Sequence, residues 1–320
     1  MPTNVTGLGT TWNLPNYAGE LFTSDPKQTP LLSMIGGLTQ GKMTDNFEFP
    51  TAVQYNQPAA SQPDISEKAS ATAPVATHLV RAQESNVVQI HQETIDLTYA
   101  KQSNAGRMSG LNTAGQAPNP KNEKAWQVAQ RLKKIARDVE YSFIAGQYRK
   151  ASADDVANRT RGMMELAATA STIDASNSYL TAAMLKNIML QMAENGAYFD
   201  NMILFCGAFQ KQAVTSLYES QLGYNTAASR NVGGMNVTEL ETDFCKLGIV
   251  WNRFMPAGSL LFADVAHMAP VFCAVPEKGV LFEEPLAKTG ASDRIQLYGQ
   301  IGLAHAPAFL HGSITGLKAS

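Results

Sequence analysis

Between Asn119 and Gly146 apolar side chains return at helical spacing: Val128, Leu132, Ile135, Val139 and Phe143, with Trp126, Ala129 and Ala136 beside them. Asn119 can cap this segment, Pro120 suits a first helical position and Gly146 can end it, so the pattern predicts one long helix. Upstream the period shortens to two. Phe47 and Phe49 alternate with Asn46 and Glu48, while Ile95, Leu97 and Tyr99 alternate with Thr94, Asp96 and Thr98. Thr44–Tyr55 and His78–Tyr99 therefore read as strands. The stretch between them, Asn56–Ala76, is rich in Gln, Ala, Ser and Pro and has no apolar period. Together these pieces predict a long two-stranded hairpin with a large polar tip, an element marginal in water unless it lies on a neighbour.

The first 41 residues read as an extended arm. Pro2, Pro15, Pro26 and Pro30 interrupt any long helix there, and the apolar pieces Tyr17–Phe22 and Leu31–Ile35 are too short to build a core. After the long helix comes an α/β region. Helices are expected at Leu180–Asn195 and Phe209–Leu217. Strands are expected at Met202–Cys206, Val237–Leu240, Gly248–Val250, Leu260–Phe262, Phe272–Val275 and near Ile295–Tyr298. Gly223–Asn236, rich in Gly, Asn and Ser, reads as a loop. No internal repeat is visible.

Composition narrows the function. Of 320 residues, 44% are hydrophobic and only 16% charged, with a net charge of −2; ordinary soluble domains carry about 25% charged residues. So weakly charged a surface favours association. The densest basic run, Arg131, Lys133, Lys134 and Arg137, is answered by Asp138 and Glu140 and reads as a solvated helix face. It is not the clustered cation surface that grips phosphates. Cys206, Cys245 and Cys273 stand far apart with no CxxC pair, which indicates neither a disulfide framework nor a zinc site. No signal peptide is visible at the N-terminus, and no stretch is apolar enough to cross a bilayer, so folding in a cytoplasm is expected and no membrane partner.

Candidate chemistry is sparse. Gly36–Met43 approaches the phosphate-binding P-loop pattern, with Lys42 in the lysine position. Met43 stands where that loop needs a hydroxyl, and the segment is followed by strand instead of helix, so it reads as a glycine-rich corner. His78, His91, His267, His305 and His311 show no helical metal spacing, and none lies beside a GxSxG-like serine. Glu283 and Glu284 read as a surface turn before Pro285. No catalytic constellation, cofactor site or metal site is expected.

The order of elements, together with short motifs, resembles a known family. Asn16–Phe22 followed by Thr29–Leu32, Ala136–Tyr141 with Gly146, Arg161–Met164, Thr242–Phe244, Val250–Arg253 and Pro256–Gly258 are similar to segments of tailed-bacteriophage major capsid proteins of the Hong Kong 97-type fold, in the SU-ten-like group. The resemblance covers nearly the whole chain. It implies a mixed α+β subunit with an N-arm (1–43), an E-loop hairpin (44–100) and a P-domain (101–165 and 276–320) holding the spine helix (119–146). An α/β A-domain (166–275) completes it.

It further implies a structural, non-enzymatic role: self-assembly into hexamers and pentamers of an icosahedral or prolate head that encloses double-stranded DNA without reading its sequence. Copies of the same chain are the main partners. A separate scaffolding protein and a portal are implied, with a decoration protein as an optional addition. Tyr17, Leu21, Phe22, Phe47, Phe49, Lys68, Arg230 and Asn231 are the candidate subunit-interface residues. Lys68 is the sole lysine of the hairpin tip, hence the candidate for the lysine–asparagine cross-link of some relatives, although a solvated lysine beside Glu67 is the simpler reading. Alternatives are an encapsulin-like protein-cargo shell, a nucleotide-using enzyme built on Gly36–Lys42, and a phage tail or adhesion component.

Overall fold

The structure, a computed structural model, describes residues 29–55, 60–76, 78–103, 123–222, 229–232 and 235–319. The expected long helix is α4 below, Glu123–Ala145. Its C-terminal half is the buried half: Ile135, Val139, Phe143 and Ile144 are at most 1% exposed. In chain order the helices are α1 (Pro30–Met34), α2 (Glu67–Ser70), α3 (Tyr99–Ser103), α4 (Glu123–Ala145), α5 (Met163–Ala167), α6 (Ala182–Glu194) and α7 (Ala208–Leu222). The strands are β1 (Lys42–Thr44), β2 (Glu48–Tyr55), β3 (Arg81–Val87), β4 (Gln89–Thr98), β5 (Thr172–Ser178), β6 (Met202–Cys206) and β7 (Ser229–Val232). Then follow β8 (Met235–Glu241), β9 (Lys246–Trp251), β10 (Leu260–Asp264), β11 (Ala269–Cys273), β12 (Leu281–Pro285), β13 (Ser292–Ala304) and β14 (Gly312–Leu317).

Three sheets result. A mixed seven-stranded sheet runs β5-β14-β10-β6-β9-β8-β7. Its central strands β6 and β10 are buried along their whole length, and their alternating side chains enter two different cores. Met202, Leu204, Phe262 and Leu260 pack with Leu185, Ile188 and Met192 of α6 and Val214 of α7. Ile203, Phe205, Leu261 and Ala263 face the other way, onto Val139 and Phe143 of α4, Leu166 of α5 and Leu31 and Leu32 of α1. A five-stranded sheet runs β1-β11-β13-β12, with β4 on the other edge of β13, and it contributes Leu297, Ile301, Leu303 and Phe272 to that same second core. The third sheet is the ribbon β2-β3.

Several expectations need correction. The return arm of the hairpin is not one strand: it breaks at Val88, and β4 leaves β2 to pair antiparallel with β13 from Ser292↔Thr98 to Ile301↔Gln89. Two alternating runs placed end to end look like one strand in sequence, because pairing partners 200 residues away leave no local mark. Phe47 lies in a bend before β2 and is 58% exposed, whereas Phe49 is 5% exposed and packs on Val88, Val271 and Ala304. The two therefore do not share a face. Glu283 and Glu284 sit inside β12, opposite Leu297 and Gln296, not in a turn. Within Gly223–Asn236, expected as loop, the described residues form β7 and the start of β8, an antiparallel ladder from Ser229↔Thr238 to Val232↔Met235. Glu140, expected on a solvated face, is fully buried.

Candidate assembly interface

The hairpin is rooted firmly, and beyond its root the described tip residues are exposed. At the root Asn86, buried at the end of β3, uses its whole amide: Nδ2 donates to Leu303 O (2.9 Å), and Oδ1 accepts from Arg161 N (2.8 Å) and Val87 N (2.9 Å). A buried amide satisfied on both sides fixes the ribbon to β13 and to the lead-in of α5. Glu48 adds an exposed clasp, accepting from Lys150 Nζ at 2.5 Å and Ser85 Oγ at 2.7 Å; the lysine, then the serine, lowers its pKa.

Past the root, residues 60–76 and 78–83 are all exposed, among them Ile65 (69%), Val75 (89%), Leu79 (56%) and Val80 (71%). A tip with this much uncovered apolar side chain, and no layer beneath it among the described residues, is incomplete as an isolated element. Lys68 lies in α2 at this tip, in a single turn capped by Ser66 Oγ accepting from Ala69 N (3.2 Å), and it is exposed.

The arm's root is held by a carboxylate that sequence reasoning missed. No side chain of its own caps α1, whose first turn begins at Pro30. Instead Glu140 of α4 accepts from Leu31 N (2.9 Å), Leu32 N (2.7 Å) and Asn252 Nδ2 (2.6 Å). Asn252 follows β9, so one carboxylate joins arm, long helix and seven-stranded sheet. Burial pushes Glu140 up to about 7, against the opposing pull of its three donors. The sequence signal was the glutamate's position: Val139 and Phe143 mark the buried face, and Glu140 is adjacent to it.

The long helix is docked on β4 by Glu93, a largely buried carboxylate that bridges Arg131 Nη1 at 3.0 Å and Lys134 Nζ, while Lys134 also reaches Asp138 at 2.9 Å. The basic run is thus partly a docking face. Of the candidate interface residues, Tyr17, Leu21 and Phe22 lie outside the described residues. Arg230 and Asn231 are on β7, with their side chains also outside what is described. Among the candidates whose side chains are described, Phe47 and Lys68 are exposed and Phe49 is buried.

The glycine-rich corner is not a phosphate loop. Gly36 and Gly37, at φ 119° and 70°, follow helix α1 and lead into strand β1, whereas a P-loop leaves a strand and opens a helix. The loop closes on itself through Gly37 N to Leu32 O (2.7 Å) and Gln40 N to Gly36 O (3.1 Å). His267 Nε2 meets Asp200 Oδ2 at 2.9 Å. The Cys206 thiol, buried, is pushed up to about 12, the opposite of an activated nucleophile. No helix among the described residues is long and apolar enough to cross a membrane.

A long helix under a mixed seven-stranded sheet, a second sheet around β13 and a hairpin with an exposed tip make the mixed α+β architecture of a Hong Kong 97-type capsid subunit. The chain belongs to the family described as SU10 major capsid protein, which matches residues 4–318. Among solved structures it is similar to the capsid of cyanophage A-1(L), with 12% identity, 98% of this chain and 100% of that chain covered and a TM-score of 0.63. It is similar to the capsid of a native GTA particle at 12% identity, 97% of each chain and a TM-score of 0.57. It is likewise similar to the SrpI encapsulin complex of Synechococcus elongatus PCC 7942 at 10% identity, 94% of each chain and a TM-score of 0.57. No protein of curated function matches the sequence. The chain is a capsid protein of the virion.

Proposed function

We propose that this chain is the repeating wall unit of a phage head, closing as hexamers and pentamers around double-stranded DNA, without enzymatic activity. Its parts divide as an arm (1–43), a hairpin (44–100), a spine domain (101–165 and 276–320) and an axial domain (166–275). The observation that carries the reading is the hairpin tip: Ile65, Val75, Leu79 and Val80 are exposed, with no layer over them among the described residues. A neighbouring copy supplies the missing layer, and burying such side chains is worth about 1.5–3 kcal/mol each.

The exposed Phe47 and Lys68 fall along the same element and join that contact, as do Tyr17, Leu21 and Phe22 of the arm; Phe49 serves its own subunit's core. The ribbon containing Arg230 and Asn231, at the edge of the seven-stranded sheet, faces the capsomer axis. Assembly takes place in the host cytoplasm with a separate scaffolding protein and a portal. The test is electron microscopy with sedimentation of the purified chain, alone and with scaffolding partners. Closed shells or five- and six-fold rings support the reading; a monomer or dimer under every condition overturns it. Nuclease-protected DNA inside shells separates a head from a protein-cargo compartment.

A further inference from the structure

Two short crossings carry the chain between the large sheets at one place. Val265–Met268 links β10 to β11, and 305–311 links β13 to β14. The second is an interior connection, unusual for a loop: His305, Ala306, Ala308, Leu310 and His311 are each at most 6% exposed. The crossings meet where the β10–β14 ladder ends. Phe262 pairs with Gly312, and just beyond it Asp264 N donates to His311 Nδ1 (3.2 Å), so an imidazole nitrogen stands where a strand carbonyl would. That bond requires His311 to be neutral with its proton on Nε2, a buried nitrogen without a protein partner. His305 has the other arrangement: Nδ1 donates to Ala306 O (3.0 Å), leaving Nε2 buried and without a protein partner.

The charged and titratable groups around this joint do not favour a second proton. Arg161 acts on His305, and His305 and His267 act on His311, all in the direction that opposes protonation. The Asp264 carboxylate is turned away and occupied by Asp200 N (3.0 Å), Asn201 N (3.2 Å) and Ala266 N (3.1 Å). Asp200 is engaged with His267, and Glu165 with Arg161 at 3.6 Å and with Tyr148 N.

We propose that the paired crossings form an acid-sensitive hinge between the two sheets, locked by neutral His305 and His311 and loosened when either gains a proton. A proton on His311 Nδ1 removes the acceptor that ties Asp264 to the second crossing. Burial, the largest cause in both, lowers the two pKa values, that of His311 to about 3. The sign follows: the unfolded or opened chain takes up protons first, so stability is full above the ordinary histidine pKa near 6.5 and is lost as pH falls below it. At pH 5 His311 kept neutral costs the closed state about thirtyfold in equilibrium constant, and His305 adds to that cost in the same direction.

The test is hydrogen exchange of the full chain, read by mass spectrometry at pH 7.5, 6 and 5 and corrected for intrinsic rates, in wild type, His305→Phe and His311→Asn. The expected result is that both crossings lose protection at pH 5, by about thirtyfold through His311 and further through His305, while β6 holds, and that His311→Asn, which keeps an acceptor for Asp264 N but cannot titrate, removes about thirtyfold of that loss. Equal loss across the fold, or an unchanged profile in both variants, overturns the proposal. Imidazole C2 exchange in wild type reads the same groups without substitution: a midpoint below 5 for His311 and a midpoint below the ordinary value for His305 support the hinge, and a midpoint near 6.5 for either overturns it.

Discussion

Gly162 N donates to Gly146 O at 2.9 Å, so the end of the long helix α4 and the lead-in of α5 cross backbone to backbone. A Cβ on Gly162 would meet Gly146 N at 2.5 Å, Gly146 O at 2.8 Å and Ile144 O at 2.9 Å; one on Gly146 would meet Ser142 O at 2.2 Å and Thr160 O at 2.7 Å. Every obstacle is main chain, which cannot swing aside as a side-chain end can. Gly162→Ala and Gly146→Ala are each expected to destabilise the subunit by about 2 kcal/mol or more, read as a lower urea midpoint. An unchanged midpoint would mean the crossing relaxes freely.

Glu140 is the next place to cut. Glu140→Ala leaves two amide N–H groups and the Asn252 amide buried without their acceptor, with an expected loss of about 3 kcal/mol and faster hydrogen exchange at residues 31–35. Because its pKa is raised to about 7, the folded chain binds the extra proton between the ordinary value of 4.5 and 7. Its stability contribution is full below 4.5 and is lost as pH rises through 7. This is opposite in sign to the two histidines. Glu140→Gln, which abolishes the titration, should therefore steepen the acid loss of stability over that window, measured as midpoint against pH.

Glu93 clamps α4 to β4 through two cations while mostly shielded from solvent. Glu93→Ala leaves Arg131 and Lys134 facing each other without the carboxylate. A cost of about 1–3 kcal/mol is expected, detectable by thermal unfolding; a shift within error would show that Asp138 alone satisfies the lysine.

At the hairpin tip Leu79→Asp and Val80→Asp should leave the subunit's own stability within about 0.5 kcal/mol, because both positions are exposed. Shell yield in sedimentation should nevertheless fall steeply. Normal shells from the double variant would remove the hairpin from the interface.

The thiols offer a simple probe of the core. Cys206 is buried, with its pKa pushed up to about 12, while Cys245 and Cys273 are half-buried with thiols also raised by burial. Native protein is expected to react slowly at Cys245 and Cys273 and not at Cys206 until denatured, followed by mass spectrometry of a maleimide reaction.

Much of this subunit was legible before any coordinates. Met202–Cys206 was expected as a buried strand and is β6 to the residue; the long helix α4 and α6 fall within two residues or so of expectation over the described part. These are elements whose own apolar spacing fixes their faces. The candidate interface was less legible: Phe47 and Phe49 shared a face on paper, but the bend before β2 separates them. Nothing local in the sequence distinguishes a ribbon residue that serves its own core from one left for a neighbour.

What the sequence by itself determined is the set of elements, their amphipathic faces, the scarcity of charge and the order of parts that marks the family. All of these follow from periodicities of 2 and 3.6 and from capping residues, which act over a few positions. Only the tertiary structure decided that β4 leaves the hairpin to join β13, that Glu140 faces inward to hold α1, and that His311 meets Asp264 where the sheets are joined. Those choices depend on which distant backbone donors remain unpaired once the cores close. A chain's local pattern carries no record of a hydrogen bond made to a residue 100 or 200 positions away.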